Sequence, residues 1–248
     1  QNHLPTSKTL GKTTTLVVGA TGATGRHVVQ MLLSRGQNVR TVVRSKKRLL
    51  ELLDGYSGDN LVVIEASLLD LTASEVQKLT AGCTTVVSCL GHTPNVKGIW
   101  GHPRKLVTDS VKLLTTSMGD RKTKFILMGS DGVANPNGQD DKRPFIERMT
   151  LAILRYLLPP VADNEDAARY LHNLGGTAGV EWCVVRPDDL TNGEVSKYTL
   201  ESKPKHGLFG PGQTTRSNVA HSIVELTLNE DEWQKWKFQM PVICDVKS

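Results

Sequence analysis

Short runs of β-branched and other apolar residues recur along the chain at 14–18, 38–43, 61–65, 84–89, 124–128 and 181–185. Between them lie longer stretches in which apolar residues return every three or four positions, at 26–35, 46–53, 74–79, 104–118, 145–158 and 163–174. Continuous apolar strands alternating with amphipathic helices predict a parallel sheet covered on both faces, because each parallel strand needs a crossover of a dozen residues or more. In 26–35 the side chains of Val28, Val29, Leu32 and Leu33 fall on one face, and Gly36 stands where a helix C-cap is expected. Pro159 and Pro160 are expected to end the helix over 145–158.

The predicted class is α/β, a doubly wound parallel sheet with a small C-terminal substrate lobe. A polar leader occupies 1–12, the doubly wound domain 13–190, and the lobe 191–248, all within one compact unit. After Pro187 the alternation weakens and Gly207, Gly210, Pro211 and Gly212 punctuate the chain, so short strands and one helix, 219–228, are expected there.

Composition narrows the partners more than the fold. With 248 residues and 38% apolar content the chain can bury a core, and no apolar run is long enough for a membrane span. Aromatic residues make up only 5% and are not interleaved with Lys and Arg, which argues against a stacking surface for nucleic acid. The net charge of +5 fits a phosphate-bearing small molecule, and the partners expected are a small molecule, not nucleic acid or membrane. Cys83, Cys89, Cys183 and Cys244 form no CxxC pair and sit mostly in strand-like contexts, so free thiols in a reducing compartment such as the cytoplasm are expected, with no metal. The first residue is Gln1, which leaves organelle targeting open.

The candidate chemistry begins where the strand 14–18 runs into Gly19-Ala20-Thr21-Gly22-Ala23-Thr24-Gly25 and then directly into a helix. Glycines at 19, 22 and 25 suit a strand-turn-helix that cradles a pyrophosphate: a tight turn, a close backbone approach, and close packing of helix on strand. The helix N-terminus adds unpaired N–H donors and partial positive charge. About 20 residues further on, an acidic residue would select the ribose hydroxyl of NAD. Here stand Arg44, Lys46, Lys47 and Arg48. A guanidinium in that place suits a 2′-phosphate, so NADP is the expected cofactor, against the plainer reading of a solvated basic face.

Thr21-Gly22-Ala23-Thr24-Gly25, Val42-Val43-Arg44, Val86-Val87-Ser88-Cys89-Leu90-Gly91, Met128-Gly129-Ser130 and Val184-Val185-Arg186-Pro187 together resemble the atypical short-chain dehydrogenase/reductases. Within them the chain looks most like the NmrA-like group and the small biliverdin/flavin reductases. The resemblance covers about residues 13–190 and implies a Rossmann fold. It implies a nicotinamide pocket formed by the loops after the fourth and fifth strands and by Arg186-Pro187. Leu90, Gly91 and His92 would lie along the cofactor, and Met128, Gly129 and Ser130 beside the nicotinamide.

The departure from that family is as informative as the match. Its carbonyl reductases use Tyr-x-x-x-Lys, in which the lysine lowers the tyrosine pKa for proton transfer. No tyrosine here has a lysine four residues on: Tyr56 meets Asn60, Tyr156 meets Pro160, Tyr170 meets Leu174 and Tyr198 meets Ser202. Near where the pair would fall stand Pro160 and Asn164, with Asp163 and Glu165 at an expected helix start. Hydride transfer to a flavin, quinone or enone needs little help from a proton donor, because the acceptor spreads the charge. The expected activity is therefore NADPH-dependent reduction of a conjugated or aromatic acceptor. Ser130 is the expected donor and His92 the expected acid in a loop that also carries His102 and Trp100. The alternative is an NADP-binding sensor without turnover.

Overall fold

A computed structural model describes residues 12–93, 95–119, 122–176 and 179–246. The leader expected at 1–12 lies outside them except for Lys12. The chain alternates β1 (Thr14–Val18), α1 (Gly25–Ser34), β2 (Asn38–Val43), α2 (Lys46–Leu52), β3 (Leu61–Glu65), α3 (Ala73–Thr80) and β4 (Thr85–Ser88). Two helices, α4 (Val96–Trp100) and α5 (Leu106–Ser117), lead to β5 (Thr123–Met128), and two more, α6 (Phe145–Leu157) and α7 (Pro159–Leu174), to β6 (Val180–Pro187). Then follow β7 (Asp189–Thr191), β8 (Tyr198–Glu201), β9 (Gln213–Thr215), α8 (Arg216–Leu228), α9 (Glu230–Trp236) and β10 (Val242–Asp245).

Among the described residues the main sheet runs β3-β2-β1-β4-β5-β6-β10-β8, and only the β10–β8 pair is antiparallel. The 3-2-1-4-5-6 order is that of the Rossmann fold. The C-terminal segment divides in two: β8, β10 and the helices α8 and α9 extend the main sheet and its cover, while β7 and β9 form a small parallel sheet of their own.

Two apolar layers hold the sheet. On one face α1 buries Val28, Val29, Leu32 and Leu33 against Val17, Val39, Ile223 and Trp233. Each fully buried aliphatic side chain of this kind is worth about 1.5–3 kcal/mol relative to exposure. Gly36, at φ 72°, ends α1, and Gln37 N–H closes the turn on Leu32 O at 3.1 Å. On the other face α3, α5 and α7 bury Val76, Val111, Leu114 and Leu171 against Leu16, Val86 and Phe125.

Three features differ from the sequence expectation. Pro159 and Pro160 open α7 as well as closing α6, since the first turn of a helix has no use for the N–H that proline lacks; Leu158 ends one helix and begins the next. The short helices α4 and α9 lack the length that periodicity needs. Helix α6 is apolar but mostly unburied: Phe145, Ile146, Met149, Ile153, Tyr156 and Leu157 are exposed. No helix among the described residues is long and apolar enough to cross a membrane.

Candidate functional site

The register of the sheet assembles the site. Val18 stands level with Val42 on one side and Ser88 on the other, so the segments beginning at Gly19, Val43 and Cys89 leave the sheet side by side. The chain crosses from β3 to β4 at this point, which opens a crevice beyond the carboxyl ends of β1 and β4. The crevice is a cavity of about 430 Å³ lined by Gly19, Thr21, Arg44, Leu90, Gly91 and His92, among others.

Gly19 has φ 80°, and a Cβ there would lie 2.5 Å from the carbonyl carbon and oxygen of Cys89, so only glycine fits between the strand ends. A Cβ on Gly25 would collide with Gly19 O and press on the Cys89 side chain, which is the close helix–strand packing expected of the third glycine. Gly22 is less constrained: its N–H donates to Gly19 O at 2.9 Å, its φ is not left-handed, and a Cβ would come within 3.0 Å of Gly19 O alone. Ala23 and Thr24 complete the turn, with Thr24 buried at the start of α1, where no side chain caps the helix. A glycine-narrowed loop leading into an uncapped helix N-terminus fits a pyrophosphate.

Arg44 is exposed, lines the cavity, and has no hydrogen-bond or ion-pair partner among the described residues. Lys47 is placed differently from expectation. It lies in a separate shallow groove with Lys46 and Leu50, its ammonium 4.0 Å from Glu51, because α2 turns that position outward. Sequence reasoning missed Ala66, Ser67 and Leu68, which line the cavity from the end of β3. The strand order alone could have placed them there.

On the nicotinamide side expected from the resemblance, Met128, Gly129 and Ser130 close β5 without lining this cavity. Gly129 N–H donates to Val185 O at 2.8 Å and Asp131 N–H to Pro187 O at 3.0 Å, which ties the ends of β5 and β6 together. Ser130 Oγ accepts from Gly132 N–H at 3.2 Å, so the hydroxyl holds the turn and keeps its own hydrogen to donate. Next to it, burial and the nearby Asp188 push the Asp131 carboxyl above its usual range, with Arg143 opposing.

The Arg186 side chain is committed to structure. Fully buried, it makes a bidentate pair with Asp140 at 2.6 and 2.9 Å and donates to Met240 O and Val133 O. The guanidinium thereby anchors the loop 129–141, whose start is also tied to Pro187 by Asp131 N–H.

His92 is held in a network that spacing could not reveal. Its Nε2 lies 2.8 Å from Asp163 Oδ2 and its Nδ1 2.9 Å from Gly98 O, so both ring nitrogens are engaged. Asp163 also accepts Val107 N–H and Thr108 N–H at 2.8 and 2.9 Å. It therefore caps α5 from a neighbouring helix instead of capping its own, as a first-turn aspartate would. None of the four tyrosines lines the cavity: Tyr156 is exposed on α6, Tyr198 bonds His221, Tyr56 bonds Asn60, and Tyr170 packs by Thr115.

A parallel sheet with this switch point, glycine loop and free cation defines a dinucleotide-binding protein of the Rossmann class. Residues 19–230 match the family model described as NAD(P)H-binding, and the chain belongs to that family. It is similar to a divinyl chlorophyllide a 8-vinyl-reductase, chloroplastic, of Cucumis sativus, 26% identical over 236 residues that make up 89% of this chain and 51% of that protein. The chain thus spans about half the length of that relative. Among solved structures it is similar to a short-chain dehydrogenase/reductase (wide type) from Veillonella parvula in complex with NADP, with a TM-score of 0.66 at 16% identity over 94% of both chains. It is also similar to an anaerobillin reductase from Escherichia coli O157:H7, with a TM-score of 0.66 at 19% identity over 95% of this chain and 100% of that one. At these identities the two structures speak to the fold.

Proposed function

We propose that the protein is an NADPH-dependent oxidoreductase that reduces a conjugated or aromatic acceptor without a Tyr-x-x-x-Lys pair. The observation that carries the cofactor choice is Arg44: an unpartnered guanidinium lining the cavity at the end of β2, where selection of NAD would need a carboxylate. The chlorophyllide relative named above is a reductase, which supports the reaction class.

When bound, the reduced nicotinamide supplies the hydride. The chain's own residues do the rest. Gly19, Thr21, Gly22 and the first turn of α1 would hold the pyrophosphate and Arg44 the 2′-phosphate. By the family resemblance, Leu90 and Gly91 would lie along the cofactor, and Met128 and Gly129 at its nicotinamide end. The free hydrogen of Ser130 donates to the acceptor. His92, tied to Gly98 O and Asp163, would hold residues 91–93 at the cavity, and it is the acid the sequence expects.

Room for an acceptor lies next to Ser130. A hollow of about 640 Å³ begins at Gly132 and runs between the following loop and α6, with Phe145, Met149 and Leu151 as apolar wall and both carboxylates (Asp140, Asp141) and cations at its rim, Arg155 being paired with Glu165 and Arg148 unpaired among the described residues. The apolar wall suits a flat apolar molecule. The test is NADPH oxidation, followed by absorbance, against a panel of flavins, quinones and enones. Turnover with at least one, faster than with simple ketones, supports the reading. Tight NADPH binding with no turnover on any would favour the sensor, a reading supported by how fully His92 and Asp163 are engaged in the fold.

A further inference from the structure

A second group of chemistry-bearing side chains lies beyond the end of β6, outside the cavity of the glycine loop. Asp188 follows β6, Cys244 sits on the adjacent parallel strand β10, and His206 comes from the loop between β8 and β9. The pairing of Ile243 with Pro187, continued by Asp188 N–H donating to Ile243 O at 3.2 Å, brings the first two level. Their ligand atoms converge: His206 Nδ1 is 3.1 Å from Asp188 Oδ2 and 3.8 Å from Cys244 Sγ, and all three lie within 4.8 Å of one another.

The convergence separates two readings of an Asp, a His and a Cys. A nucleophilic triad needs the thiol at one ring nitrogen and the carboxylate at the other, so that the imidazole relays between them. Here both meet the same nitrogen, Nδ1, so there is no relay. Three donor atoms around one point are instead the arrangement of a metal site. With bonds of about 2.0–2.3 Å, a tetrahedral zinc ion sets its N, O and S ligands about 3.3–3.6 Å apart, close to the separations seen. The backbone closes over the group at Gly212, where a Cβ would strike both Asp188 Oδ2 and the His206 ring. The Asp188 side chain is 2% exposed and that of His206 35%, so the group is anchored in the interior and open to solvent on the histidine side.

We propose that Asp188, His206 and Cys244 bind a divalent transition-metal ion of the zinc class, with three protein ligands and an open position toward solvent. A thiolate, an imidazole and a carboxylate select zinc or cobalt over magnesium or calcium, which prefer all-oxygen sites. The sequence expectation of no metal rested on the lack of a CxxC pair. This set escapes that criterion because its members come from three separate segments of the C-terminal region and meet only in the folded chain.

The test is direct metal analysis of the full chain, purified without a histidine tag and equilibrated with Zn²⁺. About one equivalent per chain should survive gel filtration, and affinity should fall by more than about 100-fold in His206→Ala, a larger loss than removal of a mere supporting partner. Cobalt should give the sulfur-to-metal absorption band in the wild type and not in Cys244→Ser, a near-isosteric variant that keeps the fold testable. Neither readout depends on turnover or on NADPH. No retained zinc in the wild type, or retention as tight in His206→Ala and Cys244→Ser as in the wild type, would overturn the site.

Discussion

Two regions of the molecule are built on different principles. The glycine loop between β1 and α1 is made of backbone, whereas beyond the ends of β4, β6 and β10 side chains meet across the fold. In the first region Gly19, Gly22 and Gly25 act within one loop, and their spacing is the structure. In the second, His92 meets Asp163, Arg186 meets Asp140, and Asp188 meets His206 and Cys244, each pair from different elements. Local constraints can be read from spacing. Tertiary ones cannot.

The largest effect expected from breaking this contrast is at Gly19. Gly19→Val should abolish dinucleotide binding and destabilise the fold by more than about 3 kcal/mol, since it adds a left-handed β-branched residue to a clash with the Cys89 backbone. Gly22→Ala should bind within a few-fold of wild type, because its φ is ordinary and only Gly19 O must give way. Equal damage at the two positions, measured by ligand titration and denaturant unfolding, would show that the loop does not work as described.

Next comes the buried pair of the second region. Arg186→Met leaves Asp140 without its bidentate partner and should cost about 3–5 kcal/mol, while Arg186→Met with Asp140→Leu should recover much of that. Urea midpoints of the two variants decide the matter; a double variant no better than the single would contradict the pairing. Asp163→Asn should follow at about 1–3 kcal/mol, since it replaces a charge that accepts two N–H groups of α5 and a ring nitrogen. NADPH affinity should fall with it if the His92 loop is held as described. At the small end, Tyr156→Phe and Tyr170→Phe should leave any turnover within about a few-fold of wild type, whereas Ser130→Ala should lower it by about 10-fold or more. A tyrosine variant that abolishes activity would expose an acid the site description lacks.

The same contrast explains what was legible beforehand. The six main strands and the helix α1 were readable because apolar runs and a one-face stripe are local patterns, and that Arg44 lines the cavity follows from its place at the end of β2. Lys47 lines a separate groove instead of the cavity, because α2 turns its side chain outward. The structural employment of Arg186 depends on Asp140, forty-six residues away, and that of Asp163 on the start of α5. The exposed apolar face of α6 has the periodicity of a buried helix, and only tertiary structure shows that little covers it.

The most direct test of the central claim is a calorimetric titration of wild type and Arg44→Ala with NADPH and with NADH. The wild type should bind NADPH more tightly than NADH, and Arg44→Ala should lose about 1.5–3 kcal/mol of NADPH binding while NADH binding barely changes. Equal loss for both cofactors, or a wild type that prefers NADH, would contradict that claim.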